Sequence, residues 1–338
     1  VTKSGEHVRD DVGGVERALQ LVIDSRHADQ APKAAFNLGV LCEDREDFAG
    51  AERAYQLAID SGHADQGPKA AVNLGVLREG RGDFAGAEQA LQLAIDSGHA
   101  DMAPMAAVNL GVLRDDQDGA DRAYQSAIDS GHIDQAPKAA VNLGVLRESR
   151  GDFAGAERAY QLAIDSGHAD MAPMAAINLA VLREVRGDFA GAERAYQLAI
   201  DSGHADLAPK AAVNLGVLRE DQGDFAGAER AYQVVLDSGH ADQAPQAAVN
   251  LGVLCHGRED FVGAESAFQL AIDSGHADMA PKAAFNLGVL CEDQGDLAGA
   301  ERAYQLAIDS GHPTAASSAR EVMTELRSRK SLDPARRN

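Results

Sequence analysis

One dipeptide, Asn-Leu, returns eight times in this 338-residue chain, led by Asn37, Asn73, Asn109, Asn142, Asn178, Asn214, Asn250 and Asn286. Each time it lies inside a nearly identical stretch, such as KAAVNLGVLRE at Lys69–Glu79. Successive copies stand 36 residues apart, except for one interval of 33 between Asn109 and Asn142. Fixed-period copying constrains the fold more than any bulk property. Each unit buries its apolar face against the units before and after it, so the core is a strip rather than a ball.

The copy running from Pro68 to Asp101 reads as two helices and two breaks. Pro68 suits a first helical turn, with Asp65 upstream as the expected N-cap. That helix is expected to end near Glu79, at Gly80–Gly82. Asp83 caps a second helix, in which Phe84, Ala87, Leu91, Ala94 and Ile95 keep the spacing of an apolar stripe. Ser97-Gly98 closes it, the glycine supplying a left-handed residue. No run alternates in the manner of a strand. The expected fold is all-α, an α-solenoid of helix-turn-helix repeats over 14–312, with eight first helices and nine second helices. A polar segment, 1–13, precedes a lone second helix from Val15 to Asp24. A capping helix is expected over 313–328, starting at Pro313, then a basic tail at 329–338 that is expected to be disordered. The short repeat, Arg114–Tyr124, is expected to start its second helix late, to pack it loosely and to break the curvature.

The formal charge of −22 is spread through the repeats. It argues against nucleic acid and anionic membrane as partners and favours a neutral or basic protein or peptide. No apolar run approaches the ~18 residues of a membrane span, and no signal-peptide pattern opens the chain. Cys42, Cys255 and Cys291 occupy one repeat position, where neighbouring copies are too far apart to bridge. Reduced thiols and a cytoplasmic setting are the expectation. A chain starting at Val1 also fits an interaction or sensor arm of a larger protein.

Around the first helix, at ~100° per residue, Ala70, Ala71, Leu74, Gly75, Leu77 and Arg78 share one half of the wheel. Lys69, Val72, Asn73, Val76 and Glu79 share the other, so Asn73 need not enter the core. Copying makes ladders of these positions: the eight asparagines; Val72, Val108, Val141, Ile177, Val213 and Val249, with Phe36 and Phe285 at the ends; and Lys33, Lys69, Lys138, Lys210 and Lys282. A far edge carries Glu43, Glu79, Asp115, Glu148, Glu184, Glu220 and Glu292. Asn offers both a donor and an acceptor and can hold a peptide backbone without reading its side chains.

The row of histidines, His63 to His276, gives two ligands per copy at most with its aspartates, too few for a metal, and reads as a loop. Arg78 and its copies read as an inter-helix edge paired with an acid. No catalytic triad, phosphate loop or HExxH occurs. Identical residues repeated along a rod do not converge on one reaction centre. The chain reads as non-catalytic, without cofactor or metal.

Leu74-Gly75, Gly82-Asp83-Phe84, Ala87, Leu91 (Tyr160 in another copy) and Ala94 make the repeat resemble the tetratricopeptide family over about nine-tenths of the chain. SGHAD followed by NLGVL is similar to the related Sel1-like repeats. The resemblance implies a right-handed superhelix whose first helices line a concave groove. In peptide-binding members an Asn at the place of Asn73 holds peptide backbone. In chaperone-binding members that Asn and a Lys at the place of Lys69 clamp a terminal carboxylate. Carried over residue by residue, this makes the eight asparagines and five lysines, with the valine ladder beside them, the expected peptide-binding residues of an interaction scaffold. A self-associating structural module is the competing reading.

Overall fold

The computed structural model describes the backbone of residues 4–332 and the side chains of residues 14–327. The described residues form 18 α-helices and no strand. The first helices are α2 (Gln30–Glu43), α4 (Gln66–Gly80), α6 (Met102–Leu113), α8 (Gln135–Ser149), α10 (Met171–Val185), α12 (Leu207–Asp221), α14 (Gln243–Gly257) and α16 (Met279–Asp293). The second helices are α1 (Ser4–Asp24), α3 (Phe48–Asp60), α5 (Phe84–Asp96), α7 (Gln117–Asp129), α9 (Phe153–Asp165), α11 (Phe189–Asp201), α13 (Phe225–Ser238), α15 (Phe261–Asp273) and α17 (Leu297–Asp309). The last helix, α18, spans Ala315–Leu332. At the amino end the polar segment is helical from Ser4. The side chains of the basic tail, 329–338, lie outside the described residues.

The local signals act much as their chemistry dictates. The Asp83 carboxylate accepts from the Gly86 N–H at 3.0 Å and caps α5. A Cβ on Gly86 would run into that carboxylate, which accounts for the glycine at the third helical position. At the other end Gly98 takes φ +62°, which an L side chain resists.

The linker corrects one expectation. Asp29, Asp65, Asp101, Asp134, Asp206, Asp242 and Asp278 make no side-chain capping bond. The cap is the histidine: His99 Nδ1 accepts from the N–H groups of Asp101 and Met102, each at 3.2 Å. Its Nε2 is thereby the protonated nitrogen, and it faces Asp65 of the preceding repeat at 3.3 Å. His132 faces Asp101 at 3.5 Å and His276 faces Asp242 at 3.5 Å in the same way. Among the described residues no group of three ligating side chains could hold a metal ion.

The chain divides into two units, Val1–Ala175 and Ala176–Asn338. In the first, Ala35, Leu38, Ala54, Tyr55, Ala70 and Leu74 form a buried cluster, and the pattern moves on one repeat at a time. Small residues let the helices approach: a Cβ on Gly75 would lie 2.7 Å from Leu91 Cγ. In the second unit Tyr232, Phe268 and Tyr304 take the same central place, and Met323 and Leu326 of α18 close the strip. Within each unit successive first helices touch (α2 with α4, α4 with α6, α12 with α14, α14 with α16), whereas among the described residues no such pairing links successive second helices. The stack is therefore tighter on the first-helix side.

Arginines tie several repeats to the one before. Arg78 Nε lies 2.7 Å from Glu52, Arg147 Nε 2.9 Å from Asp121 and Arg219 Nε 2.9 Å from Glu193; Arg114 pairs with Glu88. In two of the three copies where cysteine replaces this arginine, a second arginine three residues on takes the acid: Arg45 with Glu16 at 2.7 Å beside Cys42, and Arg258 with Glu229 at 3.4 Å beside Cys255; beside Cys291 that position is Gln294. The three cysteines are unbridged.

The short repeat differs from expectation. The missing residues come from the end of α6, which closes at Leu113 with Arg114 extended, and from the turn. Asp116 still caps α7, which keeps 13 residues and a Tyr124 only 6% exposed. The capping aspartate is kept, so the second helix does not start late, while Tyr124 is less buried than Tyr55, Tyr160, Tyr196, Tyr232 and Tyr304, in keeping with the looser packing expected.

Candidate functional site

Each first helix presents one stripe to solvent. Lysine or methionine (Gln246 in α14), asparagine and valine stand at i, i+4 and i+7, on one face of a helix: Lys69, Asn73 and Val76 in α4, and Lys210, Asn214 and Val217 in α12. Asn37 is exposed and the other seven asparagines are half-buried. Lys33, Lys138 and Lys210 are exposed and Lys282 is half-buried, while Lys69 pairs with Asp65 at 2.9 Å. The pairing with Lys69, then with His99, holds the Asp65 carboxyl below its ordinary range.

The apolar ladder is displaced from where the wheel put it. Val72, Val108, Val141, Ile177 and Val213 are buried in the seams between helices, at 6% exposure or less, and Val249 is half-buried. The wheel failed because a first helix is flanked on both sides, by its own second helix and by its neighbours, and its buried arc exceeds a half. The apolar residues that do face solvent lie four positions on: Val76, Val112 and Val145 in the first unit, Val181, Val217 and Val253 in the second.

Four of the asparagines, Asn73, Asn142, Asn214 and Asn250, have a protein partner that sequence reasoning missed, a tyrosine of the preceding repeat; Asn109 and Asn286 follow repeats with Leu91 and Phe268 at its place. Tyr55 on α3 is fully buried, and its hydroxyl donates to Glu43 Oε2 at 2.7 Å. Asn73 Nδ2, from the next repeat, donates to that hydroxyl at 3.4 Å. Burial, and then Glu43, push the Tyr55 phenol far above its ordinary range, with Asn73 drawing it back. Asn142, Asn214 and Asn250 draw down Tyr124, Tyr196 and Tyr232 in the same sense. Tyr160 donates to Glu148 at 2.9 Å, Tyr232 to Glu220 at 3.1 Å and Tyr304 to Glu292 at 2.6 Å. The expected acidic edge is thus largely an acceptor row for buried tyrosines. A sequence signal for it exists: Glu and Tyr recur 12 residues apart, and the copy with Phe268 has His256 where the acid would be. The bracing also fixes the amide's orientation. With Nδ2 turned to the tyrosine, Asn73 keeps its carbonyl oxygen and one N–H for a ligand.

A comparison with known protein families matches the tetratricopeptide repeat at residues 44–103, 114–173, 149–212, 177–248, 213–279 and 273–316. The chain belongs to the tetratricopeptide repeat family. Among solved structures, this tetratricopeptide protein is similar to a Sel1 repeat protein from Oxalobacter formigenes, with 22% identity and a TM-score of 0.56 over 90% of each chain. It is also similar to c5321, a protective antigen of uropathogenic Escherichia coli with an SLR fold. That likeness has 21% identity and a TM-score of 0.50, over 84% of this chain and 62% of the other. Both likenesses concern the fold. No curated protein matches the sequence. Tetratricopeptide repeat proteins are generally protein-interaction scaffolds, and no described helix is long and apolar enough to cross a membrane.

Proposed function

We propose that this tetratricopeptide protein is a non-catalytic scaffold that holds an extended peptide along the first-helix face of its units. The observation that supports this most is the stripe of lysine, methionine or glutamine, then asparagine, then valine, repeated on successive, touching first helices, with a tyrosine hydroxyl bracing Asn73, Asn142, Asn214 and Asn250. The asparagines grip backbone groups of the peptide, the Val76 series contacts its apolar side chains, and the free lysines hold acidic side chains or a terminal carboxylate.

Magnitudes require the apolar row. One asparagine contact contributes about 0.5–1.5 kcal/mol net, while micromolar binding needs about 8 kcal/mol. A four-rung unit therefore falls short on hydrogen bonds alone, and burial of the valines, at about 25 cal/mol per Å2, must supply the rest.

Selection of a random displayed peptide library on the full chain tests the proposal, followed by anisotropy with the selected peptide. The variant Asn73→Ala, Asn109→Ala, Asn142→Ala, with unchanged helicity, is expected to lose tenfold or more in affinity. Equal binding by the variant would return Asn73 and Asn142 to a structural role as tyrosine partners and Asn109 to a solvated residue of that face.

A further inference from the structure

The short repeat leaves one tyrosine without the acid that its counterparts have. Tyr55, Tyr160, Tyr232 and Tyr304 each donate to the glutamate 12 residues earlier, and Glu184 bonds Tyr196. Twelve residues before Tyr124 stands Val112. In sequence the counterpart of those glutamates is Asp115, but α6 has ended before it, and Arg114 is extended with φ −78° and ψ 125°. No carboxylate acts on the Tyr124 phenol: burial raises it, and Asn142, bonded to its oxygen, draws it back. Among the described residues the hydroxyl thus accepts from Asn142 and finds no acceptor for its own proton.

A hollow of about 380 Å3 opens beside Tyr124, between α6, α7 and α8. That volume lies within the ~300–1,000 Å3 of small-ligand sites. Val112 and Val145 give it apolar walls, and Arg114, Tyr124 and Asn142 its donors. Both valines and Asn142 belong to the first-helix stripe, so the hollow sits on the candidate peptide face. Arg114 keeps Glu88 through Nε and Nη2. The remaining nitrogen, Nη1, donates to a glycine carbonyl in Arg78, Arg183 and Arg219, at 3.3–3.4 Å. Arg114 has no such bond among the described residues. Lys138, one turn before Asn142, is exposed and has no ion pair among them.

We propose that this hollow takes an aspartate or glutamate side chain of the peptide held along the first-helix face, an inference that rests on the scaffold function proposed above. The tyrosines of five other repeats show which group fits beside such a hydroxyl, and in each it is a carboxylate. Here the ligand supplies it. An anion is preferred to a peptide carbonyl because Arg114 and Lys138 are cationic donors, whose bonds to ionised acceptors are about twice as strong. The 33-residue interval occurs once in the chain. One acid on the peptide therefore fixes its register, which identical asparagine and valine rungs leave free to slide.

Propionate, the glutamate side chain without its backbone, is the first probe. It is titrated into the full chain carrying fluorotyrosine at its six tyrosines, read by fluorine NMR. Tyr124→Phe assigns the resonance, and Phe268 at the same place in another repeat shows that the fold accepts the change. Propionate is expected to shift the Tyr124 resonance alone, with saturation, and uncharged propionamide to leave it in place. Absence of the shift, or an equal shift with propionamide, overturns the proposal and leaves the scaffold function standing. Peptides selected on the full chain are expected to share an acidic residue at one fixed position. Its exchange for the amide should weaken binding about tenfold in the parent and less than twofold in Tyr124→Phe. Asparagine-dependent peptides that need no fixed acid would overturn the proposal by making the ligand a free carboxylate. Propionate binding without any asparagine-dependent peptide would refute the scaffold function and, with it, the peptide as the source of the acid.

Discussion

Replacing Tyr232 by phenylalanine isolates the hydroxyl at the centre of the Glu–Tyr–Asn cluster. The ring is fully buried, so its packing is retained and no cavity forms. What is lost is a bond from the hydroxyl to Glu220 Oε2 at 3.1 Å, and the acceptor that Asn250 uses. A hydrogen bond to a charged group contributes about 1.5–3 kcal/mol. Glu220 is only half-buried and recovers water, so the lower end, about 1.5 kcal/mol, is expected. The repeat containing Phe268 and His256 suggests the second arm, since both members of the pair change together there. Glu220→His in the parent is expected to cost about 1 kcal/mol, and the double variant about 1 kcal/mol less than the sum, because the hydroxyl and its acceptor are lost only once. A solenoid unfolds by segments, so native-state hydrogen exchange over α12 and α13 is read alongside the urea midpoint. Costs that add to within about 0.3 kcal/mol, the spread of independent sites, would mean that the two groups are not coupled and that the pairing contributes nothing to the strip.

Replacing His99 by alanine removes the acceptor for two N–H groups at the start of α6 and the contact with Asp65. About 1 kcal/mol is expected, as for lost N-caps; His99→Asn is expected to recover part of it, and urea unfolding with exchange at α6 measures both. Arg147 hydrogen-bonds Asp121 and holds its carboxyl below the ordinary aspartate range. This contribution is complete above the unfolded value of ~3.9 and is lost as pH falls through the lower folded value. Asp121→Asn should therefore lower the urea midpoint at pH 6 and flatten its decline between about pH 4 and 2; an unchanged acid limb would refute the linkage. Val76→Ser, Val112→Ser, Val145→Ser is expected to weaken a selected groove peptide tenfold without changing the urea midpoint, whereas Val72→Ser, inside the core, should lower that midpoint by more than 1 kcal/mol in stability.

The helices were legible because their punctuation is local. Asp83 with Gly86, Ser97 with Gly98, and Pro68 act within a few residues, and copying repeats each signal several times. The histidine cap was not legible, since an aspartate two residues on looks like the better cap, and only the geometry shows it turned toward the next repeat's imidazole. The candidate site was half legible. Asn73 and Lys69 lie on the exposed stripe, but Val72 and its copies do not, because the helical wheel knows period and not how many neighbours flank a helix. The tyrosine bracing depends on contacts across repeats, such as Asn73 to Tyr55, which no single copy contains.

Many of the polar ties between repeats point the same way along the chain. Arg78 reaches back to Glu52, Asn73 to Tyr55, and His99 to Asp65. A repeat leaving the ribosome thus meets acceptors that have already been synthesised and folded, since domains form amino end first during translation. No nascent repeat must hold these donors unpaired while it waits for chain not yet made, and growth at the carboxyl end adds bonds without breaking any.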